Sequence, residues 1–283
     1  MIGEMTAPPG FVDLHLHTIH SDGMHTPEEV VAFAGRARLA AIAITDHDTL
    51  DGIAPAAAAA RPAGIELIPG VELSASDGPS DVHLLGYFLD PATPGLDEEL
   101  LALRDGRFLR AQRTVELLNR IGAPVSFERV LAIAGPAPIG RPHIATALVE
   151  AGHATTMDQA FERFIGYHAP AFVPKRALDP AAAVELIRRA GGVAVLAHPG
   201  SLRRDDLIPG LVARGLGGIE VWHPKHDGTR VRHYQKIAGK HGLSITGGSD
   251  FHGGGRGTST VGDQPVPTGV LDSLRARARA CAR

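Results

Sequence analysis

Cysteine is almost absent from this 283-residue chain, which carries only Cys281 near its end. One cysteine excludes an intrachain disulfide and a zinc cluster built from thiolates. The sequence also has no apolar run near the roughly 20 residues that a membrane-spanning helix needs. The first fifteen residues, which include Glu4, Pro8 and Pro9, have no apolar core of the kind found in signal peptides. We therefore expect a soluble cytoplasmic protein.

The chain also lacks a large excess of either charge, because its 28 Lys and Arg residues nearly balance its 31 Asp and Glu residues. A near-neutral chain has no broad basic field, so we expect neither duplex DNA nor a membrane surface as a partner. A small patch that binds a few phosphates is compatible with this balance. Histidine, by contrast, is plentiful, with fifteen residues beside one tryptophan and three tyrosines.

Short apolar segments alternate with helical segments along most of the chain. One predicted helix begins at Thr26-Pro27-Glu28-Glu29, where Thr26 can cap and Glu29 occupies the capping-box position. This alternation predicts an α/β fold with a parallel sheet closed as a barrel. The predicted strands are Phe11–His17, Ala40–Ile44, Ile65–Ile68, Asp81–Phe88, Val193–Ala197, Gly218–Trp222 and Leu243–Thr246.

The pattern changes between residues 90 and 171, where no strand alternation is present. The sequence predicts one long helix over Leu96–Ile121, which ends at Gly122, followed by shorter helices. We predict that residues 1–89 and 172–283 form the barrel. Residues 90–171 would form a small helical insertion that caps the substrate.

Histidines and acids recur at the ends of the predicted strands. His15 and His17 lie on one face of the first strand, because side chains alternate along a strand. Taken alone, they fit either a metal site or a buried strand whose histidines are satisfied by hydrogen bonds. His47, Glu72, His198, Asp250 and His252 also lie at or just beyond carboxyl ends of strands, where α/β barrels gather catalytic groups. Imidazole and carboxylate without thiolate suit Zn²⁺, Mn²⁺ or Fe²⁺.

At these motifs the sequence resembles the PHP (polymerase and histidinol phosphatase) domain phosphoesterases. Within that family it is most similar to the nucleoside 3′,5′-bisphosphate phosphatase and RNase AM-like branch, which has a helical insertion in the same place. The matching segments are Asp13-Leu14-His15-Leu16-His17 with Ser21-Asp22-Gly23, Ile44-Thr45-Asp46-His47-Asp48, Pro69-Gly70-Val71-Glu72, Val82-His83-Leu84-Leu85-Gly86, Val195-Leu196-Ala197-His198-Pro199-Gly200 and Gly248-Ser249-Asp250-Phe251-His252.

The resemblance implies a distorted (β/α)₇ barrel that holds two to three divalent ions, Mn²⁺, Fe²⁺ or Zn²⁺. His83 sits within a predicted strand and not at its end, so its place in the ligand set rests mostly on the resemblance. Asp22, His47, Glu72, His198 and Asp250 are the implied catalytic residues. The full implied ligand set is His15, His17, Asp22, His47, Glu72, His83, His198, Asp250 and His252.

The activity implied by the resemblance is hydrolysis of phosphate esters by a metal-bridged hydroxide that attacks phosphorus. We expect the substrate to be the 3′-phosphate of nucleoside 3′,5′-bisphosphates, with 5′→3′ trimming of short 5′-phosphorylated RNA as a further activity. One alternative is a histidinol-phosphate phosphatase, whose barrel is elaborated differently. Another is a non-catalytic metal-binding PHP module, which usually lacks several ligands.

Four residues are candidates for substrate binding: Arg141, His143, His223 and Arg203. Arginine's planar fork suits phosphate, and Arg141 precedes a predicted helix; a surface salt bridge is the alternative. Relatives in the branch often carry an arginine just after the His-Pro-Gly segment, where this chain has Ser201 and Leu202. Either the shifted Arg203 or Arg204 takes that role, or the preference for two phosphates weakens. For His223, contact with substrate and a plain loop position stay open.

Overall fold

Strands and helices alternate through a computed structural model that describes residues 10–78, 80–135, 137–174, 178–253 and 259–281. Within these ranges the strands are β1 (Phe11–Leu16), β2 (Ala41–Ile44), β3 (Glu66–Asp77), β4 (Ser80–Tyr87), β5 (Val193–Leu196), β6 (Gly218–Trp222), β7 (Ser244–Gly247) and β8 (Val266–Pro267). The α-helices are α1 (Pro27–Arg36), α2 (Ile53–Ala63), α3 (Leu96–Arg120), α4 (Phe127–Ala134), α5 (Arg141–Glu150), α6 (Met157–Ala160), α7 (Pro180–Arg189), α8 (Pro199–Leu202), α9 (Ile208–Ala213), α10 (Gly228–His241) and α11 (Val270–Cys281). A π-helical turn, Phe161–Ile165, follows α6, and a 3₁₀ turn, Asp205–Leu207, precedes α9.

The strands form one sheet in the order β7-β6-β5-β4-β3-β2-β1-β8. The sheet curls until β1 meets the segment after β7, where Leu16 and Phe251 form a parallel bridge. The His17 amide donates to the Phe251 carbonyl at 3.0 Å across this seam. The predicted fold class, a distorted (β/α)₇ barrel of the TIM type with helices between its strands, is confirmed. The short strand β8 adds an antiparallel edge to β1.

The direction of β4 differs from the prediction of a wholly parallel sheet. β3 continues past Glu72 to Asp77, and β4 returns beside it in antiparallel register, with Ser74 opposite His83. β4 is also antiparallel to β5. Only residues 78 and 79 join β3 to β4, and so short a connection cannot hold the crossover that parallel strands require. The reversal brings the middle of β4 to the edge where the other strands end.

The predicted start of α1 is borne out by its capping contacts. Thr26 accepts the Glu29 amide, and the Glu29 carboxylate accepts the Thr26 amide in return. This reciprocal pair satisfies two backbone donors at the helix end. The strands β2 and β5 are buried at every position, as expected for strands covered on both faces.

The segment between β4 and α7 is helical in the part that the structure describes, and it has its own apolar core. This core includes Val115, Leu118, Val130, Ile144 and Leu148. The long helix α3 belongs to two cores, because Leu96, Leu100 and Leu103 near its start pack into the barrel cluster instead. The division of the chain into a barrel and a cap formed by residues 90–171 stays a prediction.

None of the helices in the described ranges has both the length and the apolar character required to cross a membrane.

Candidate metal centre and active site

One rim of the barrel gathers all of the ligands that the resemblance implies. His15 lies in β1, Glu72 in β3 and His83 in β4, while the others lie on the loops that follow β1, β2, β5 and β7. His15 and His17 are fully buried, and Glu72 is 1% exposed. His83 reaches the rim from mid-strand because β4 runs opposite to its neighbours. The side chains concerned are His15, His17, Asp22, His47, Glu72, His83, His198, Asp250 and His252.

Glu72 lies at the centre of this group and is contacted on both carboxylate oxygens. Its Oε1 is 2.7 Å from Nδ1 of His83 and 3.0 Å from Nε2 of His198. Its Oε2 contacts ring nitrogens of His15, His17 and His47 at 3.1, 3.1 and 3.4 Å. A carboxylate that shares its two oxygens among several imidazoles is placed to bridge neighbouring cations.

The donor atoms fall into three overlapping groups, in each of which they lie within 4.8 Å of one another. Glu72 is common to two of the groups, and His198 contacts it beside His83. Oxygen and nitrogen donors at such spacing fit divalent cations. The groups are His17, Asp22, His47 and His252; His15, His17, Glu72 and Asp250; and His47, Glu72 and His83.

The electrostatics of the rim also fit bound cations. Burial alone would raise the pKa of Glu72, but the rings of His47, His83 and His15 hold this pKa well below its ordinary value. Asp22 is also buried and Asp250 is partly buried, and nearby histidines likewise lower the pKa of each carboxyl against the effect of burial. Buried ionised carboxylates require positive charge close by. The residues present therefore suit divalent ions at this rim.

Glu220 in β6 supports the cluster from behind, and the sequence reasoning did not single it out. It is fully buried. Its Oε1 lies 2.9 Å from Nδ1 of His15, and its Oε2 accepts the His198 amide at 2.7 Å. With Nδ1–H of His15 donating to Glu220, the Nε2 atom that faces Glu72 is left to act as a ligand. One carboxylate thus orients two members of the implied ligand set.

Asp46 performs a similar task for the loop that carries Asp22. Its carboxylate accepts the Thr18 amide at 2.7 Å, the Thr18 hydroxyl at 2.7 Å and the Ser21 hydroxyl at 2.6 Å. Asp46 itself is 1% exposed. These bonds fix the turn between β1 and Asp22, so that Asp22 Oδ1 comes within 3.2 Å of Nε2 of His252.

Arg107 of α3 connects the insertion to the same rim. Its guanidinium donates to Asp48 Oδ2 and to the Ser74 hydroxyl, each at 2.5 Å. Asp48 in turn accepts the Ser74 amide at 2.7 Å. Because Asp48 follows His47 directly, this buried ion pair holds the loop that presents the His47 ring. The sequence reasoning did not identify Arg107.

The backbone is strained at three strand ends of the rim. Asp48, His198 and Asp250 have φ values of 55°, 27° and 50°. Residues other than glycine rarely adopt this left-handed region, and such positions concentrate at functional sites. Hydrogen bonds hold each of these residues in place: Asp48 accepts the Ser74 amide, the His198 amide donates to Glu220, and Asp250 Oδ2 contacts Nε2 of His223.

The four predicted substrate-binding residues occupy different surroundings. Arg141 begins α5, and its guanidinium donates to Asp81 Oδ2 at 2.7 Å beside the cluster. His143 is 4% exposed, and its Nδ1 accepts the Gly140 amide at 3.0 Å. His223 is 1% exposed, with Nε2 3.1 Å from Asp250 Oδ2. Arg203 is exposed and is not among the residues that line the two cavities described next.

Two neighbouring cavities open at the rim. The smaller, about 290 Å³, is lined by cluster residues together with Arg141, Ser201, Leu202 and Lys225. The larger, about 910 Å³, extends from Asp22, Asp250 and His252 to the insertion. Its insertion side presents Pro142, Val149, Thr155, Thr156, Met157, Asp158 and Phe161. A cavity of this size accommodates a ligand considerably larger than a phosphate.

Comparisons with known proteins agree with this geometry. A family model described as "PHP domain" matches residues 13–164. The chain is 37% identical to the 3′,5′-nucleoside bisphosphate phosphatase of Chromobacterium violaceum, over 94% of this chain and 97% of that protein. It is 34% identical to the 5′-3′ exoribonuclease Rnm of Escherichia coli, over 85% and 84% of the two chains.

A solved structure from Bifidobacterium adolescentis, provisionally named a metal-dependent phosphoesterase, superposes with a TM-score of 0.87. It is 33% identical in sequence, and the match covers 95% of this chain and 97% of that one. The fold and the clustered donors thus define the chain as a metal-dependent hydrolase that acts on phosphate esters. It belongs to the PHP domain family.

Proposed function

We propose that this enzyme removes the 3′-phosphate of nucleoside 3′,5′-bisphosphates and also trims short 5′-phosphorylated RNA from its 5′ end. The observation that carries the proposal is the pair of adjoining cavities, one lined by the metal-donor cluster and the other reaching the insertion. The names of the relatives from C. violaceum and E. coli support both substrates. We place the reaction in the cytoplasm.

The proposed cofactor is a set of two to three Mn²⁺, Fe²⁺ or Zn²⁺ ions. Bound divalent ions supply a lowered pKa for water and positive charge for phosphoryl oxygens. In our proposal, Glu72 would hold ions through both of its carboxylate oxygens. The side chain of Asp250 is 20% exposed and faces both cavities. The proposed ligands are His15, His17, Asp22, His47, Glu72, His83, His198, Asp250 and His252.

Arg141 is the proposed partner of the phosphate that is cleaved. Its guanidinium and that of Arg110 lie 2.7 and 3.8 Å from the same Asp81 carboxylate, so two positive charges face one negative charge. Of the two arginines, Arg141 lines the smaller cavity together with Asp81, and its guanidinium would stabilise charge that develops on the phosphoryl oxygens of a phosphate bound there. His143 contributes indirectly, because its ring fixes the backbone at Gly140 next to Arg141.

The insertion is the proposed cap over the substrate. Val149, Met157 and Phe161 give the larger cavity an apolar wall, while Thr155 and Thr156 add hydroxyls. Such a mixture suits a nucleoside, whose base is flat and apolar and whose ribose is polar. The cap would also exclude bulk water from the smaller cavity during the reaction.

The test is a phosphate-release assay on purified protein with Mn²⁺ and adenosine 3′,5′-bisphosphate. We expect 5′-AMP and phosphate as products, and loss of turnover on addition of a chelator. Glu72→Gln should lower kcat on the order of 10³-fold, because it removes the bridging charge. A 5′-phosphorylated oligoribonucleotide should be shortened from its 5′ end in the same preparation.

Three results would contradict the proposal. Turnover of histidinol phosphate without turnover of the bisphosphate would assign the alternative substrate. Release of the 5′-phosphate, giving 3′-AMP, would reverse the orientation of the nucleotide. Unchanged hydrolysis by Glu72→Gln would show that the measured activity does not come from this site.

A further inference from the structure

Lys225, in the loop between β6 and α10, stands where the two cavities meet. It lines the smaller cavity and the larger one, a property it shares with Asp250 and His252. A ligand that reaches from the donor cluster toward the insertion therefore passes Lys225. The sequence does not single out this residue, because Lys225 lies outside the segments that carry the family resemblance.

The backbone of Lys225 is held by a buried imidazole. Its amide donates to Nδ1 of His223 at 3.1 Å, and its carbonyl accepts from Arg230 Nη1 at 3.2 Å. Because Nδ1 of His223 accepts, the proton lies on Nε2, which donates to Asp250 Oδ2 at 3.1 Å. The His223 ring therefore spans the distance between Lys225 and Asp250, and it fixes where the lysine side chain starts relative to the donor cluster.

The ammonium of Lys225 has no acidic partner among the residues that the structure describes. Among the described residues, no carboxylate lies within 4.0 Å of its ammonium, whereas Arg141 of the smaller cavity is 2.7 Å from Asp81. The other charged residues that line the larger cavity are Asp22, Asp158 and Asp250. An anionic group that extends from the cluster into this cavity would thus find its positive partner in Lys225.

We propose that Lys225 binds the phosphate that is not cleaved and so selects substrates with two phosphates. The inference rests on the proposed function, in which the scissile phosphate lies with the donor cluster and Arg141. The nucleoside and its second phosphate then extend past Lys225 toward the insertion. A flexible ammonium is a point charge that can follow a phosphate on a bound ligand. Lys225 lines the same cavity as Ser201 and Leu202, whereas neither Arg203 nor Arg204 lines it, so Lys225 supplies a cation that these two arginines do not.

The test compares Lys225→Ala and Lys225→Arg with Lys236→Ala, which removes an exposed lysine from α10. The substrates are adenosine 3′,5′-bisphosphate and adenosine 3′-monophosphate, which lacks the second phosphate. Lys225→Ala should lower kcat/KM for the bisphosphate by about 10- to 100-fold, mostly through KM. It should change the monophosphate by less than about twofold. Lys225→Arg should keep most of the activity, and Lys236→Ala should match the wild type.

A second measurement keeps the two proposals distinguishable. Binding of 5′-AMP, titrated calorimetrically with Mn²⁺ present, should weaken in Lys225→Ala by the same factor as kcat/KM. An equal loss for both substrates, or no loss for either, would overturn the role of Lys225. If the wild type does not hydrolyse the bisphosphate, the proposed function fails, and unequal binding of 5′-AMP by the wild type and Lys225→Ala would still support the phosphate contact.

Discussion

At the barrel rim the buried side chains are imidazoles and carboxylates, whereas the core of the insertion is made of alanine, leucine, isoleucine and valine. Each buried polar group at the rim is expensive to remove from water and needs its own partner. The insertion core needs only good packing. The comparison teaches that chemistry is concentrated where the fold is most constrained, while the insertion supplies shape and a few arginines.

The largest effect that we expect from a residue behind the rim comes from Glu220→Gln. Glutamine keeps the size of the side chain but loses the charge that pairs with His15, and its single carbonyl oxygen cannot accept from both Nδ1–H of His15 and the His198 amide. Metal affinity or kcat should fall by about 10- to 100-fold. Metal titration and steady-state kinetics on the same preparation measure both. Glu185→Gln, an exposed change on α7, is the matched control. Unaltered metal affinity and activity would show that the rim does not depend on Glu220.

A smaller effect on activity is expected from Arg107→Gln, which breaks one buried ion pair between the two regions. The change leaves Asp48 buried without its guanidinium, so the free energy of unfolding should fall by about 3 kcal/mol. Urea unfolding measures this loss, and hydrogen exchange at residues 45–48 reports on the loop that carries His47.

The control for this prediction is Arg113→Gln, since Arg113 is exposed on the same helix and pairs only with Glu116 among the described acids. If Arg107→Gln and Arg113→Gln unfold at the same urea concentration, the buried pair does not join the insertion to the rim.

The smallest effect should come from Arg129→Ala, within the insertion. Arg129 makes a two-pronged salt bridge to Glu150 at 2.7 and 2.9 Å, but both side chains are largely exposed. Water and salt screen such pairs, so Tm should stay within about 1 °C and kinetics should not change. Calorimetry and the phosphate-release assay check this. A large loss of activity would contradict the view that the outer surface of the insertion is remote from the chemistry.

The sequence predicts the rim well because its signals are local. His15 and His17 share a strand face, and His198, Asp250 and His252 follow short apolar strands, so each can be placed without knowing the rest of the fold. Glu220 gives no such signal, since it sits among apolar residues of β6 and acquires its partners only when the barrel brings His15 and His198 beside it. Arg107 looks like any charged residue on a long helix until α3 docks on Asp48.

The direction of β4 could not be predicted for a related reason. The sequence predicts a strand at 81–88, but it predicts that the preceding strand ends near Ile68 and gives no signal for the turn at Gly78 that joins β3 to β4. Residues Ser74 to Asp77 are polar or small, and their strand conformation depends on pairing with β4. The apolar pattern of a strand identifies it without giving the direction in which it runs.

The shared helix α3 has a mechanical consequence. Its first half is anchored in the barrel and its second half in the insertion, and Gly106 lies between them, next to Arg107. Glycine is the weakest point of a helix interior after proline. The insertion also contacts the barrel through Arg141 and Arg110, which both approach Asp81 of β4, so a movement that widens the larger cavity would strain these contacts as well as the Arg107–Asp48 pair. Through α3 and Arg107, such a movement would also act on the loop that carries His47, so the cavity and the rim are mechanically linked.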